Sequence, residues 1–200
     1  MQKIELKGFK RENLGKKATN DLRKDKNVPG VLYGGEEIVH FYTPLKDFNK
    51  LIFTPNVYIV TLNIDGKVYE SIIKETQYHP VSDNLIHIDF LQVFEDKPIT
   101  ISIPVKLEGL PEGVKAGGKL TLEQRKLRVK GLAKDLPDHL NIDISKLGLG
   151  KSIQVGSLNF PGIELLNAKH SVVAAVKLTR AARAAGQGEA GEEATAEEQS

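Results

Sequence analysis

Two hundred residues, 40% apolar, with 28 basic and 26 acidic side chains and a formal charge of +2, suffice for one large core or two modest ones, and the composition favours two. The absence of cysteine excludes disulfides, thiolate metal sites and cysteine nucleophiles. No apolar run approaches a membrane span, and Met1-Gln2-Lys3-Ile4-Glu5-Leu6-Lys7 alternates polar and apolar residues instead of forming a secretory signal, so a cytoplasmic protein is expected.

The small net charge hides an asymmetry. Residues 1–30 carry nine Lys/Arg against four Asp/Glu, a surplus of five, whereas Glu189, Glu192, Glu193, Glu197 and Glu198 face Arg183 near the other end. Such a pattern points to a polyanion contact at one end and a solvated tail at the other.

In chain order, Ile4, Leu6 and, after Gly8, Phe9 define the apolar face of a first strand, with Lys3, Glu5 and Lys7 opposite. Ala18 to Lys26 favours a short helix, docked through Ala18 and Leu22, that leaves Lys16, Lys17, Arg23 and Lys24 outside. Val28-Pro29-Gly30 is expected to end it. Val31-Leu32-Tyr33, closed by Gly34-Gly35, and Ile38 to Tyr42 are strands. Thr43 reads as the cap of a helix with Pro44 in its first turn and Leu45, Phe48 and Leu51 on one face. Asp65-Gly66 joins Tyr58–Ile64 to Lys67–Lys74 as a tight hairpin. Gln77-Tyr78-His79-Pro80 breaks the pattern, and Leu85 to Val93 resumes it.

Beyond Glu95-Asp96-Lys97-Pro98 the texture changes to short strands at Thr100–Leu107, Leu120–Leu122, Lys126–Val129, Asn141–Ile144 and Val172–Lys177, a second all-β unit. Helical turns are expected only near Pro137 and Ser145, and Gly117-Gly118 as a hairpin turn. From Ala181 onward no aromatic residue, Ile, Leu or Val offsets the cost of ordering the chain, so disorder is expected there.

Two constellations carry chemistry. The basic segment, with Arg11, Lys16, Lys17 and Arg23 ahead of Tyr33, reads either as a solvated face or as a phosphate-binding surface. The scarcity of rings able to stack (Tyr33, Tyr78, Phe9, Tyr42) favours a folded RNA over a single strand. His87 and Asp89 lie two apart on a strand and share one face. With Gln77 they offer donors and acceptors to base edges and ribose hydroxyls. A metal reading of His79, His87 and Asp89 lacks supporting ligands, and His79 fits a hydrogen-bonding role in the turn. Leu149-Gly150-Lys151-Ser152 has Ser145 where a phosphate loop needs glycine. No nucleophile grouping stands out, so no enzyme, cofactor, metal or small-molecule substrate is expected.

Arg11, Gly15-Lys16, Leu22-Arg23, Val28-Pro29-Gly30-Val31-Leu32-Tyr33-Gly34, His79-Pro80 and His87-Ile88-Asp89-Phe90 together resemble the bacterial large-subunit ribosomal proteins that bind 5S rRNA. Leu107-Glu108-Gly109-Leu110-Pro111-Glu112-Gly113-Val114-Lys115-Ala116-Gly117-Gly118 is similar to the extra β domain of their longer form, related to general stress protein Ctc. The resemblance spans about residues 1 to 180. It implies a mainly β protein with a few helices: an N-terminal 5S rRNA-binding β-barrel (1–93), a second β-rich domain (94–180) and a disordered acidic tail (181–200). It also implies a ribosome-associated, cytoplasmic structural protein that grips the loop E minor groove and phosphates and positions 5S rRNA in the central protuberance. Its partners would be 5S rRNA and other large-subunit components, with no membrane. The matching RNA-binding positions are Arg11, Lys16, Thr19, Arg23, Tyr33, Gln77, His87 and Asp89, with Lys17 beside them. Asn20, Asp21 and Lys74 depart from the family pattern. A non-ribosomal two-domain adaptor that binds proteins is the alternative.

Overall fold

The computed structural model describes residues 2–179. The expected disorder of 181–200 lies outside the described residues. The described residues form two compact units, 2–103 together with 130–138, and 104–129 together with 139–179.

The first unit is built on a closed six-stranded barrel in the order β1-β3-β2-β6-β5-β4. Its strands are β1 (Gln2–Lys10), β2 (Asn27–Tyr33), β3 (Val39–Pro44), β4 (Tyr58–Ile64), β5 (Lys67–Tyr78) and β6 (Leu85–Gln92). β1 is parallel to β4 and β2 to β6, and the other neighbours are antiparallel. Closure leaves no strand edge unpaired for aggregation. Inward positions supply Leu6, Val28, Leu32, Phe41, Val60, Leu62, Ile64, Ile88 and Phe90, and helix α2 (Leu45–Ile52) adds Phe48 and Leu51.

Phe41 is the most crowded point of this core. Its ring lies 5.7 Å from that of Phe90, and a Cβ placed on Gly8 of β1 or Gly30 of β2 would come within 2.8 Å of it. Gly8 thus holds the inward position next in the alternation after Leu6. Phe9 turns outward in consequence, 48% exposed, and stacks on Tyr42 at 5.4 Å instead of joining Ile4 and Leu6.

Three local expectations change for physical reasons. Helix α1 (Lys16–Lys24) starts two residues earlier than expected, buries no residue fully, and gives way to a left-handed Lys26 at φ 58°. Val28-Pro29-Gly30, expected to stop that helix, belongs to β2. Proline is tolerated there because the pairing of β2 with β6 begins only at Gly30. The Thr43 hydroxyl does not cap α2. It is buried and donates to the Lys7 carbonyl at 3.0 Å, while Pro44 occupies the cap position. The hairpin at Asp65-Gly66 forms as expected, with φ of 48° and 88°.

The second β-rich region has a four-stranded sheet, β10-β7-β9-β12, and a three-stranded sheet, β11-β13-β8. These comprise β7 (Ile99–Glu108), β8 (Lys119–Leu122), β9 (Lys126–Gly131), β10 (Leu140–Asp143), β11 (Ser152–Gln154), β12 (Ile163–Leu165) and β13 (Val172–Lys177). β11 and β12 are three residues each, too short to leave a periodic signal. The helical turns fall at α3 (Glu112–Lys115) and a 3-10 turn at Val155–Ser157, not near Pro137 and Ser145. Gly117, at φ 85°, ends α3 instead of turning a hairpin. Among the described residues no helix is long and apolar enough to cross a membrane.

Replacing Gly30 by Ala is expected to lower stability by about 1–3 kcal/mol, because the new methyl must displace the enclosed Phe41 ring. Urea unfolding reads this as a lower midpoint at an unchanged slope; an unchanged midpoint would contradict the packing described.

Candidate nucleic-acid interface

The outer surface of β6 presents His87 and Asp89, half-buried, while Ile88 and Phe90 point inward. His87 Nδ1 lies 2.8 Å from Asp89 Oδ1. This contact turns Nδ1 toward the carboxylate and leaves Nε2 as the atom available to a partner.

A bulge in β5 brings further polar groups to this face. The register shifts between Ile73, which pairs with Phe90, and Glu75, which pairs with Asp89. The extra residue turns Glu75 and Gln77 to the outer surface, where Gln77 stands opposite His87. Without the bulge, strict alternation from the inward Ile73 would point both into the core. Glu75 was absent from the residues singled out in the sequence because a bulge has no fixed residue signature. Val31 of β2 pairs with Asp89, placing Tyr33 near the same acids. Burial first, then the charges of Asp89 and Glu75, push the Tyr33 phenol above its ordinary value, so its hydroxyl stays a donor.

Helix α1 carries the cations. Lys16, Thr19 and Arg23 recur at three and four residues, hence along one helix face. Arg23 Nε donates to the carbonyl of Ile86 at 3.2 Å, which fixes the helix beside His87. This contact uses a backbone oxygen, invisible to a search for side-chain motifs. Arg11 extends β1, its amide donating to the His40 carbonyl at 2.9 Å. Its Nη2 donates to the Thr19 hydroxyl at 3.0 Å, and that hydroxyl donates to the Gly15 carbonyl at 2.7 Å. Burial, then the neighbouring Arg23, lower the Arg11 pKa, yet a guanidinium remains charged at neutral pH. Lys16 and Lys17 are exposed on the first turn, and Asp21 is paired with Lys24 at 3.0 Å.

Arg11, Thr19 and Arg23 are thus linked to the β6 face of His87, Asp89, Gln77 and Tyr33, with Lys16 one turn earlier on the same helix. The arrangement suits a rigid, hydrogen-bonding polyanion. Among the described residues no group of three His, Asp or Glu is placed to hold a metal. His79 Nδ1 instead accepts from the amides of Val81 and Ser82 at 3.3 and 3.2 Å.

Comparison with known families bears on both halves. Residues 6–90 match the Ribosomal L25p family, and residues 98–180 match the family described as Ribosomal protein TL5, C-terminal domain. The Large ribosomal subunit protein bL25 of Azobacteroides pseudotrichonymphae is 56% identical over 184 residues, covering 92% of this chain and 97% of the relative. Those of Phocaeicola vulgatus and Bacteroides fragilis are each 52% identical, over 192 and 190 residues, with the same coverage. The chain belongs to the bL25 family of large ribosomal subunit proteins. It has the longer, two-domain form, and membership makes it a ribosome-associated structural protein of the cytoplasm, not an enzyme.

In this bL25 chain the Asp89→Asn substitution is expected to lower the Tyr33 pKa, because one of the charges that disfavours the phenolate is removed while burial remains. A pH titration of tyrosinate absorbance, taken as a difference against Tyr33→Phe, reads the shift. An unmoved midpoint would separate Tyr33 from the acidic cluster.

Proposed function

We propose that the barrel of this bL25-family protein binds 5S rRNA at loop E, reading the minor groove with Gln77, His87 and Asp89 and neutralising phosphates with Lys16, Lys17 and neighbouring bases, and so helps position that RNA in the central protuberance. The observation that carries the reading is the fixing of α1 by Arg23 on the Ile86 carbonyl, beside the close His87–Asp89 pair. Cations and a preformed donor–acceptor set thereby share one surface. A-form RNA is recognised by such a combination, since its wide minor groove displays 2′-hydroxyls and base edges between phosphate rows. Arg11 and Thr19 brace the start of the helix, and Tyr33 adds a phenol donor.

Asp89 fits this chemistry in one role. A carboxylate on a phosphate-binding face repels the backbone, so Asp89 acts by orienting His87 and by accepting from amino or ribose hydroxyl groups that lie away from the phosphates. Other large-subunit components complete its surroundings, and no small-molecule substrate or cofactor enters the reading.

Titration of the full chain with 5S rRNA and with a loop-E-scrambled control, at several salt concentrations, tests the proposal. Replacing Lys16 and Lys17 by Gln should weaken both RNAs alike and flatten the salt dependence by somewhat under about one unit per lost contact. Asp89→Ala should instead erode discrimination, by about 1–3 kcal/mol. Equal affinity of the unaltered protein for the two RNAs would reject specific recognition.

A further inference from the structure

The second β-rich region carries a charged surface that the barrel reading leaves unexplained. β9 alternates strictly: Leu127 and Val129 are fully buried, whereas Lys126 and Arg128 are exposed. The carbonyl of Arg125, just before the strand, accepts from the Val105 amide at 2.9 Å, which sets β9 beside β7 and its exposed Lys106. Lys106 itself pairs with Asn141 of β10, an uncharged neighbour. Among the described residues none of Lys106, Lys126 and Arg128 is engaged in an ion pair, although Lys177 elsewhere is paired with Glu123 at 2.7 Å. The acids near them are few. Glu164 is exposed on β12, and Glu108 and its register partner Asp143 stand one outward position beyond Lys106 and Asn141, where Asp143 accepts from the amide and hydroxyl of Ser145.

We propose that this sheet face, with Lys106, Lys126 and Arg128, is a second RNA-binding surface that takes the phosphate backbone of a base-paired segment. The inference rests on the ribosomal setting of the proposed function only for the class of polyanion. Successive outward residues of a strand stand about 6.7 Å apart, a step suited to a row of phosphates. Residues 104–130 contain no aromatic side chain, so the face lacks the rings on which an unpaired strand stacks its bases. What remains is sequence-independent contact with a backbone, the way proteins grip duplex RNA by shape and charge. The barrel selects the RNA, and this face adds affinity without selecting.

The test uses the full chain and two probes: 5S rRNA, and a perfectly paired RNA duplex of about 16 base pairs, the span of a duplex-reading module. The triple variant Lys106→Gln, Lys126→Gln, Arg128→Gln should bind the plain duplex about tenfold more weakly at low salt and lower the log–log salt slope by roughly two units. Its preference for 5S rRNA over the loop-E-scrambled control should stay intact, and the charge-keeping pair Lys106→Arg, Lys126→Arg should retain the original slope. An unchanged duplex slope in the triple variant would overturn the proposal. So would loss of assembly into the large subunit with duplex binding unaltered, which would assign the face to an acidic protein. Failure of the barrel reading would look different: the unaltered protein would not distinguish 5S rRNA from the scrambled control, whatever the triple variant does.

Discussion

The enclosure of the Phe41 ring, between Gly8 and Gly30 and against Phe90, is the contact on which the barrel depends. Burying an aromatic side chain contributes about 1.5–3 kcal/mol, and here it does so at the junction of β1, β3 and β2. Phe90 extends the contact to Phe48 of α2 at 6.4 Å, so β6 and one helix are locked to the same cluster. Because Ile88 and Phe90 are held inside, His87 and Asp89 have no alternative to the outer surface. The geometry of the candidate interface is therefore a by-product of core packing, set by the fold alone.

Rigidity of this kind is what the proposed match to a folded polyanion requires. Flexible cations alone follow any phosphate row, and their contribution fades as salt rises. Discrimination requires groups whose positions are fixed in advance. The close His87–Asp89 contact, the bulge that everts Glu75 and Gln77, and the Arg23 contact with the Ile86 carbonyl each supply such fixing through a different kind of interaction. Cations at Lys16 and Lys17, by contrast, project from the exposed first turn of α1 and carry no positional information of their own.

Much of this was legible from residues alone, where the local rule and the tertiary context agree. The Asp65-Gly66 hairpin follows from the positive φ its turn requires, and the common face of His87 and Asp89 follows from the period of a strand. The misses have a common cause in tertiary override. Phe9 faces out because Phe41 fills the space that Gly8 leaves, Thr43 serves the Lys7 carbonyl instead of a helix, and Pro29 sits within a strand where pairing with β6 has not begun. The role of Glu75 depends on a register shift that no residue type encodes. The backbone carbonyl of Ile86 has no sequence signal at all.

The most direct test of the central claim exploits the absence of cysteine from the chain, which lets Asn20→Cys on α1 carry a single tethered iron–EDTA probe. Hydroxyl-radical cleavage of bound 5S rRNA should then cluster on the two strands flanking the loop E minor groove. Cuts spread evenly along the RNA, or concentrated in a different helix, would contradict the account.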